Sequence, residues 1–306
     1  MRYIDVLVAL QSALAEAKRL NAQASRLYRA GRYAAAVPLA QRCLAIFEKV
    51  FGPEHPDVAS VLNNLAAVYL AQGRYGEAEP LYHRSLAIRE RAHGPEHRRV
   101  ALGLNNLAAL YRIQGRYGEA EPLLRRALAI FEEALGPNHP DVALSLDNLA
   151  VLYTSQGRYK EAEPLYRRAL AIVEEALGPN HPQVATSLNN LALLHQGQGR
   201  YAKAEPLLQR ALAIWEEALG AEHPNVALSL NNLARLYHEQ GEYAEAEPLY
   251  RRALAIWEEA LGAEHEDVVA ILTNLAGLSE KLGKREEGAA LSARARATGE
   301  GLRGRR

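Results

Sequence analysis

Glycine recurs at Gly31, Gly73, Gly115, Gly157, Gly199, Gly241 and Gly283, a fixed spacing of 42 residues, and nothing else in the chain constrains the fold as strongly. All fourteen prolines keep the same period, falling only at the positions equivalent to Pro53, Pro56 and Pro80. Glycine and proline punctuate backbone, so a shared period in both means that one supersecondary unit has been copied along the chain. The 306 residues are therefore read as copies of a single unit and not as two unrelated domains.

Within a unit, Leu62, Leu65, Ala66 and Tyr69 follow the i, i+3, i+4, i+7 spacing of one apolar helix face. This predicts a first helix from about Val58 to Gln72, stopped by Gly73, which tolerates a left-handed C-cap. A second helix follows from about Tyr75 to Ala92, with Ala78, Leu81, Tyr82, Ser85, Leu86 and Ile88 on its buried side. The "GPEHP" segment closes the unit, with Pro56 near the first position of the next helix and His55 or Asp57 as its N-cap. The pairs Glu121/Arg125, Glu163/Arg167 and Glu247/Arg251 stand four residues apart with the acid toward the helix N-terminus, the favourable order. A lone helix pair cannot bury its apolar face, so the pairs must stack into a solenoid of about fourteen helices. Residues 1–18 are expected to form a capping segment, residues 19–290 six to seven repeats with a degenerate last unit, and residues 291–306 a frayed basic tail.

The residues that carry the period match a known family. The order Leu62, Leu65, Ala66, Tyr69, Ala78, Tyr82 resembles the tetratricopeptide repeat, with Leu and Ala in place of its Trp and Gly. The usual repeat is about 34 residues long; here a longer second helix and "GPEHPDVA" extend it. Units reading "LNNLAxLYxxQGRYxEAEPLYRRALAI" are similar to the repeat domain of kinesin light chains and its prokaryotic relatives. No sustained heptad region is present, so motor binding is not carried over. The resemblance implies an all-α, right-handed superhelical solenoid of antiparallel helix pairs that acts as a non-enzymatic scaffold. It also implies a concave groove lined by first helices.

The groove face is expected to include Asn64 and the residues three and six or seven further on, which turn away from the Leu65 and Tyr69 stripe. Asn64, Asn106, Asn148, Asn190, Asn232 and Asn274 form an unbroken series, although Asn is a mediocre helix former. Its amide offers donors and an acceptor and can pair with a peptide unit of any sequence. First helices spaced by roughly 10 Å would place one Asn at about every third residue of an extended chain, each residue advancing about 3.3 Å. The same amides would alternatively bond to a neighbouring helix inside the solenoid. The preceding series, Asn63, Asn105, Asp147, Asn189, Asn231 and Thr273, shares the groove rim, with Asp147 as its odd member. Three positions after the ladder the sequence varies through Ala67, Ala109, Val151, Leu193, Arg235 and Gly277; three further on it varies through Leu70, Arg112, Thr154, Gln196, His238 and Glu280. Specificity is expected there, with Val151 and Leu193 as apolar floor and Arg112, Arg235 and His238 as polar readers.

Other function classes have little support. The 36 basic and 36 acidic side chains cancel, which removes the bulk positive charge of a nucleic-acid or anionic-membrane binder. His55, His97, His139, His181, His223 and His265 recur once per loop, too far apart to share a metal ion. Trp215 and Trp257 share a slot with Phe47 and Phe131 and read as packing residues. No phosphate loop, HExxH or GxSxG motif occurs, so neither an enzyme nor a cofactor is expected. Cys43, the single cysteine, falls in the small-residue slot of Ser85 and Ala127 and forms no internal disulfide. The start "MRYIDVLVALQSALA" loosely imitates a secretory signal, but Asp5 interrupts it and the segment runs on into the first repeat. The expected location is cytoplasmic, export following only if residues 1–15 act as a signal; the Ala, Leu, Arg and Glu bias points to a bacterium. The expected partner is a protein or peptide, with no nucleic acid and no membrane insertion. The alternative is an architectural solenoid that self-associates weakly through its ends or convex face.

Overall fold

The structure, a computed structural model, describes residues 3–303, and every regular element among them is an α-helix. In chain order these are α1 (Tyr3–Arg29), α2 (Tyr33–Phe51), α3 (Pro56–Ala71), α4 (Tyr75–His93), α5 (Arg98–Ile113), α6 (Tyr117–Leu135) and α7 (Pro140–Ser155). There follow α8 (Tyr159–Leu177), α9 (Pro182–Gly197), α10 (Tyr201–Leu219), α11 (Pro224–Gln240), α12 (Tyr243–Leu261), α13 (Glu266–Lys281) and α14 (Arg285–Arg303). The chain divides into two compact units, α1–α6 and α7–α14, meeting in sequence between Pro137 and Asn138.

Backbone chemistry sets the helix ends. Gly73 takes φ +73°; its N–H reaches the Leu70 carbonyl at 2.9 Å, and the Arg74 N–H reaches that of Tyr69 at 2.9 Å. This pair of bonds is the Schellman stop, which needs a left-handed residue at its centre. The second helices stop differently: Gly52 sits at φ 89°, ψ 155°, a region open essentially to glycine alone. The next helix is then started by histidine. His55 Nδ1 accepts the Asp57 N–H at 3.2 Å, and the same bond recurs at His97, His139, His181, His223 and His265 at 3.1–3.2 Å. Of the two residues the sequence offered as the cap, histidine is the one used.

Each pair buries the predicted faces. Val58, Leu62, Ala66 and Ala78 are fully buried, and Leu65, Tyr69, Tyr82 and Ile88 nearly so. Burying one such leucine contributes roughly 1.5–3 kcal/mol. The small-residue slot is filled tightly: Ser85 Oγ donates to the Ala59 carbonyl at 2.6 Å, and Cys43 is fully buried, burial pushing its thiol up to about 11. A thiol held that far above neutrality is unreactive, so Cys43 acts as a small core residue.

Pairs then stack through second helix on following first helix, α2 on α3 and α4 on α5 in the first unit, α8 on α9, α10 on α11 and α12 on α13 in the second. One arginine per repeat fixes this register. Arg84 donates to Glu48 at 2.6 Å and to the Pro53 carbonyl at 2.7 Å; Arg126 does the same with Glu90 and Pro95 at 2.8 and 2.9 Å. In the second unit Arg210 meets Glu174 and Pro179, and Arg252 meets Glu216 and Ala221. Such half-exposed pairs add little stability singly, but the bond to a loop carbonyl allows one register only. The "GRY" arginine has its own place, Arg74, Arg116 and Arg158 lying 4.4, 4.0 and 4.0 Å over the rings of Tyr69, Tyr111 and Tyr153.

The basic segment expected to fray from residue 291 is helical to Arg303, because Arg294 continues the arginine–glutamate series by pairing with Glu258. Residues 304–306 of that tail, and Met1 and Arg2 of the signal-like start, lie outside the described residues. No described helix is long and apolar enough to cross a membrane.

Candidate functional site

The first helices pack one side into the stack and leave the other uncovered. In the second unit α7 touches α9, α9 touches α11 and α11 touches α13, so the first helices form a closely spaced wall. Their uncovered stripe is set by helical geometry: positions equivalent to 60, 64, 67 and 71 fall within about 60° of one another at about 100° per residue. On it stand the predicted ladder and the variable slot at 67, together with two slots that the sequence reading passed over.

Those two slots hold exposed apolar residues. Leu102 and Ile113 on α5 are 42% and 45% exposed, Leu144 on α7 49% and Leu228 on α11 44%. In sequence each reads as one more apolar residue of a helix. The available signal for the three leucines was that their slot varies as freely as the specificity positions, through Ser60, Leu102, Leu144, Thr186, Leu228 and Ala270.

The asparagines are joined to one another. In the first unit Asn64 Nδ2 donates to Asn21 Oδ1 at 3.2 Å and Asn106 Nδ2 to Asn63 Oδ1 at 2.7 Å. In the second unit Asn232 donates to Asn189 at 2.9 Å and Asn274 to Asn231 at 3.3 Å. Each of these four ladder residues reaches back to the rim residue of the preceding repeat, and the rim series extends to Asn21 on α1, which the sequence reading did not include. A single such bond uses one N–H of the donor and leaves its second N–H and its own Oδ1 for other partners. Exposure differs along the series: Asn64 is exposed, Asn106, Asn148, Asn190 and Asn274 are half-buried, and Asn232 is only 5% exposed. The rim residues Asn105, Asp147 and Asn189 are buried, Asn63 and Asn231 half-buried.

Asp147 breaks the rim series in charge as well as identity. It accepts a bond from Ser187 Oγ at 3.2 Å, while its Oδ1 is buried without a protein partner. Burial pushes its carboxyl up to about 7, the serine hydroxyl only partly opposing this. Further along, Arg235 Nη2 donates to Gln196 Oε1 at 3.3 Å; Gln196 itself is 5% exposed and Leu193 half-buried. His238 stacks obliquely on Tyr243 at 5.5 Å, and Val151 and Arg112 are half-buried on their own helices. His195 takes the place held by tyrosine in neighbouring repeats and is 2% exposed; burial lowers its pKa, with Glu163 opposing.

Comparison with known proteins fits this geometry. The profile of the tetratricopeptide repeat matches residues 14–91, 57–133, 99–175, 148–213, 183–256 and 237–299, so nearly the whole chain is covered. The protein belongs to the tetratricopeptide repeat family, and its 42-residue units are of the kinesin-light-chain-like type. BtubC (BKLC) from P. vanneervenii is 27% identical over 75% of this chain and 92% of its own, with a TM-score of 0.63. A kinesin-light-chain-type protein of Podospora anserina with nearly identical repeats is 31% identical over 67% of this chain and 97% of its own, TM-score 0.55. A Rap protein solved in complex with competence and sporulation factor shares the fold at 19% identity, covering 99% of this chain and 80% of its own, TM-score 0.71. No curated protein matched the sequence.

Proposed function

We propose that the protein is a scaffold in which the uncovered first-helix face of a compact unit holds an extended segment of a partner protein. The observation that carries this reading is the set of leucines and isoleucine left 42–49% exposed on the same stripe as the ladder asparagines. Exposed apolar side chains alternating with amides offer what an extended chain needs, apolar contact for its side chains and hydrogen bonds for its backbone. In the first unit Asn64 and Asn106, and in the second Asn148, Asn190 and Asn274, would bond the backbone of a bound segment, Asn64, Asn106 and Asn274 with the N–H and Oδ1 that their inter-repeat bonds leave over, while the buried Asn232 serves mainly to orient its neighbours. Arg235 and His238 would read polar side chains of the partner, and Leu144, Val151 and Leu193 apolar ones. The repeat family supports protein partners, and the Rap protein holds a factor on the same fold.

The test compares proteins captured from the source cell by the native chain, by Asn148→Ala/Asn190→Ala and by Leu144→Ser/Leu228→Ser. Both variants should keep native helicity by circular dichroism and lose the captured partner. Unchanged capture would remove this face from the function. Association that rises with protein concentration and ignores both variants would favour a self-assembling solenoid.

A further inference from the structure

The loop joining α4 to α5 differs from its five counterparts in one direction, toward positive charge. Arg91 stands where Glu133, Glu175, Glu217 and Glu259 stand, and His93 where four later repeats have leucine. Arg98 stands where four of the five counterparts have proline, and Arg99 where three have aspartate and none is basic. Arg89 replaces a core residue, the Phe131 or Trp215 of other repeats. In a chain whose charges cancel overall, this concentration is local.

The structure accommodates the cluster at some cost to the fold. Arg89 is 9% exposed, and its Nη1 donates to the Arg99 carbonyl at 3.1 Å. It fits because Gly103, in the slot of Val61 and Ser145, lies opposite: a Cβ there would come within 3.2 Å of Leu86 Cδ1 and 3.5 Å of Arg89 Nη1. Glycine is unfavourable in a helix interior, and cations are unfavourable in a first turn, where the backbone dipole is positive. His93 and His97 stack at 4.7 Å, and Arg99 Nη1 lies 3.2 Å from His93 Nε2. His97 Nδ1 is taken by the Arg99 N–H, so its Nε2–H is the free donor. Of the acidic groups nearby, Glu54 pairs with Arg91 and Glu90 with Arg126, while Glu96 lies in the loop itself. Among the described residues no carboxylate pairs with Arg98 or Arg99, and both are exposed.

We propose that Arg98, Arg99, His93 and His97 bind a phosphate group, with Arg89 holding the Arg99 backbone in place. Adjacent guanidinium forks and imidazole N–H groups match the oxygens of a compact dianion, which relieves the mutual repulsion of several cations at one point. A single carboxylate carries half that charge. Arg98 and Arg99 stand four and three residues before Leu102 at the start of α5; because phosphate binding is read directly, the assignment does not depend on the partner-binding reading.

The test uses the full chain and Arg98→Pro/Arg99→Asp, which restores the residues of most other repeats and is therefore expected to fold at least as well. Calorimetric titration at low ionic strength with inorganic phosphate, with a capped Gly-phosphoserine-Gly peptide and with Gly-Glu-Gly supplies the arms. Phosphate should bind the native chain and raise its melting temperature, and should bind the variant at least about tenfold more weakly, the loss expected for charge-assisted bonds. Equal competition by the phosphopeptide would identify a phosphorylated partner as the source, and binding of phosphate alone a free anion. Absence of phosphate binding, equal binding by the variant, or equal binding of Gly-Glu-Gly would each overturn the assignment.

Discussion

Two regions break the 42-residue period, and they do so in opposite ways. At the α4–α5 loop an arginine enters a core slot and the fold makes room for it: Gly103 clears the space and the Arg99 carbonyl accepts a hydrogen bond from it. At Asp147 a carboxyl enters a buried rim slot with no such adjustment, so one oxygen stays unpartnered and the proton is held to about pH 7. A repeat protein can thus take up an odd residue by changing a second one a turn or a helix away, or by leaving the group neutral. The first solution frees the surface around it to carry charge; the second leaves a stability cost that depends on pH.

The largest expected effect tests whether the glycine is what admits the arginine. Trp257→Arg puts the same side chain into the equivalent slot of α12, where Trp257 is 4% exposed and the position equivalent to Gly103 is the fully buried Ile271. It should lower unfolding free energy by about 4 kcal/mol in urea titration, through lost packing and an unpaired buried charge. A loss below about 1 kcal/mol would mean that any repeat can hold an arginine there.

Asp147→Asn addresses the other region. Between the ordinary carboxylate range and about pH 7 the folded chain keeps a proton that the unfolded chain releases, so stability falls as pH rises through this window and levels off above it. The asparagine variant should be more stable by on the order of 3 kcal/mol at pH 8, with the gain vanishing near pH 4. A gain independent of pH would place the cost in packing instead of ionisation.

Gly103→Val, restoring the residue of Val61, should destabilise by about 2 kcal/mol through overpacking against Leu86 and Arg89. In an Arg89→Phe background the cost should shrink, and a double-mutant cycle measures the coupling. Additive effects would separate the two substitutions.

Much of this molecule was legible because the information is local. The apolar face of Leu62 to Tyr69 and the Glu163/Arg167 pair are read within one or two turns of helix, and the 42-residue period of Gly73 and Pro56 is read by laying the sequence against itself. What was hidden lies between repeats. The sequence offered a bond from a ladder amide to a neighbouring helix as an alternative but not its partner, since Asn106 and Asn63 are 43 apart; the Arg84 contact with Pro53 spans 31, and at such separations no helical periodicity reports. Leu144 and Leu228 were missed for another reason: on a helix an apolar residue reads as core until the stack shows which side is uncovered. The tail at Arg294 looked unanchored because its partner, Glu258, sits on the preceding second helix.

The Schellman stop at each "QG" or its equivalent has a consequence for how such a chain changes over generations. The glycine at every such stop takes the same left-handed backbone conformation, φ 67° to 83°, and Arg84-type contacts recur in both units. Unequal crossing-over between the gene segments encoding Gly199 and Gly241 would therefore delete or duplicate one whole rung with both junctions already compatible. The length of such a protein is then easily altered by recombination, and variants differing by 42 residues should fold as readily as the parent.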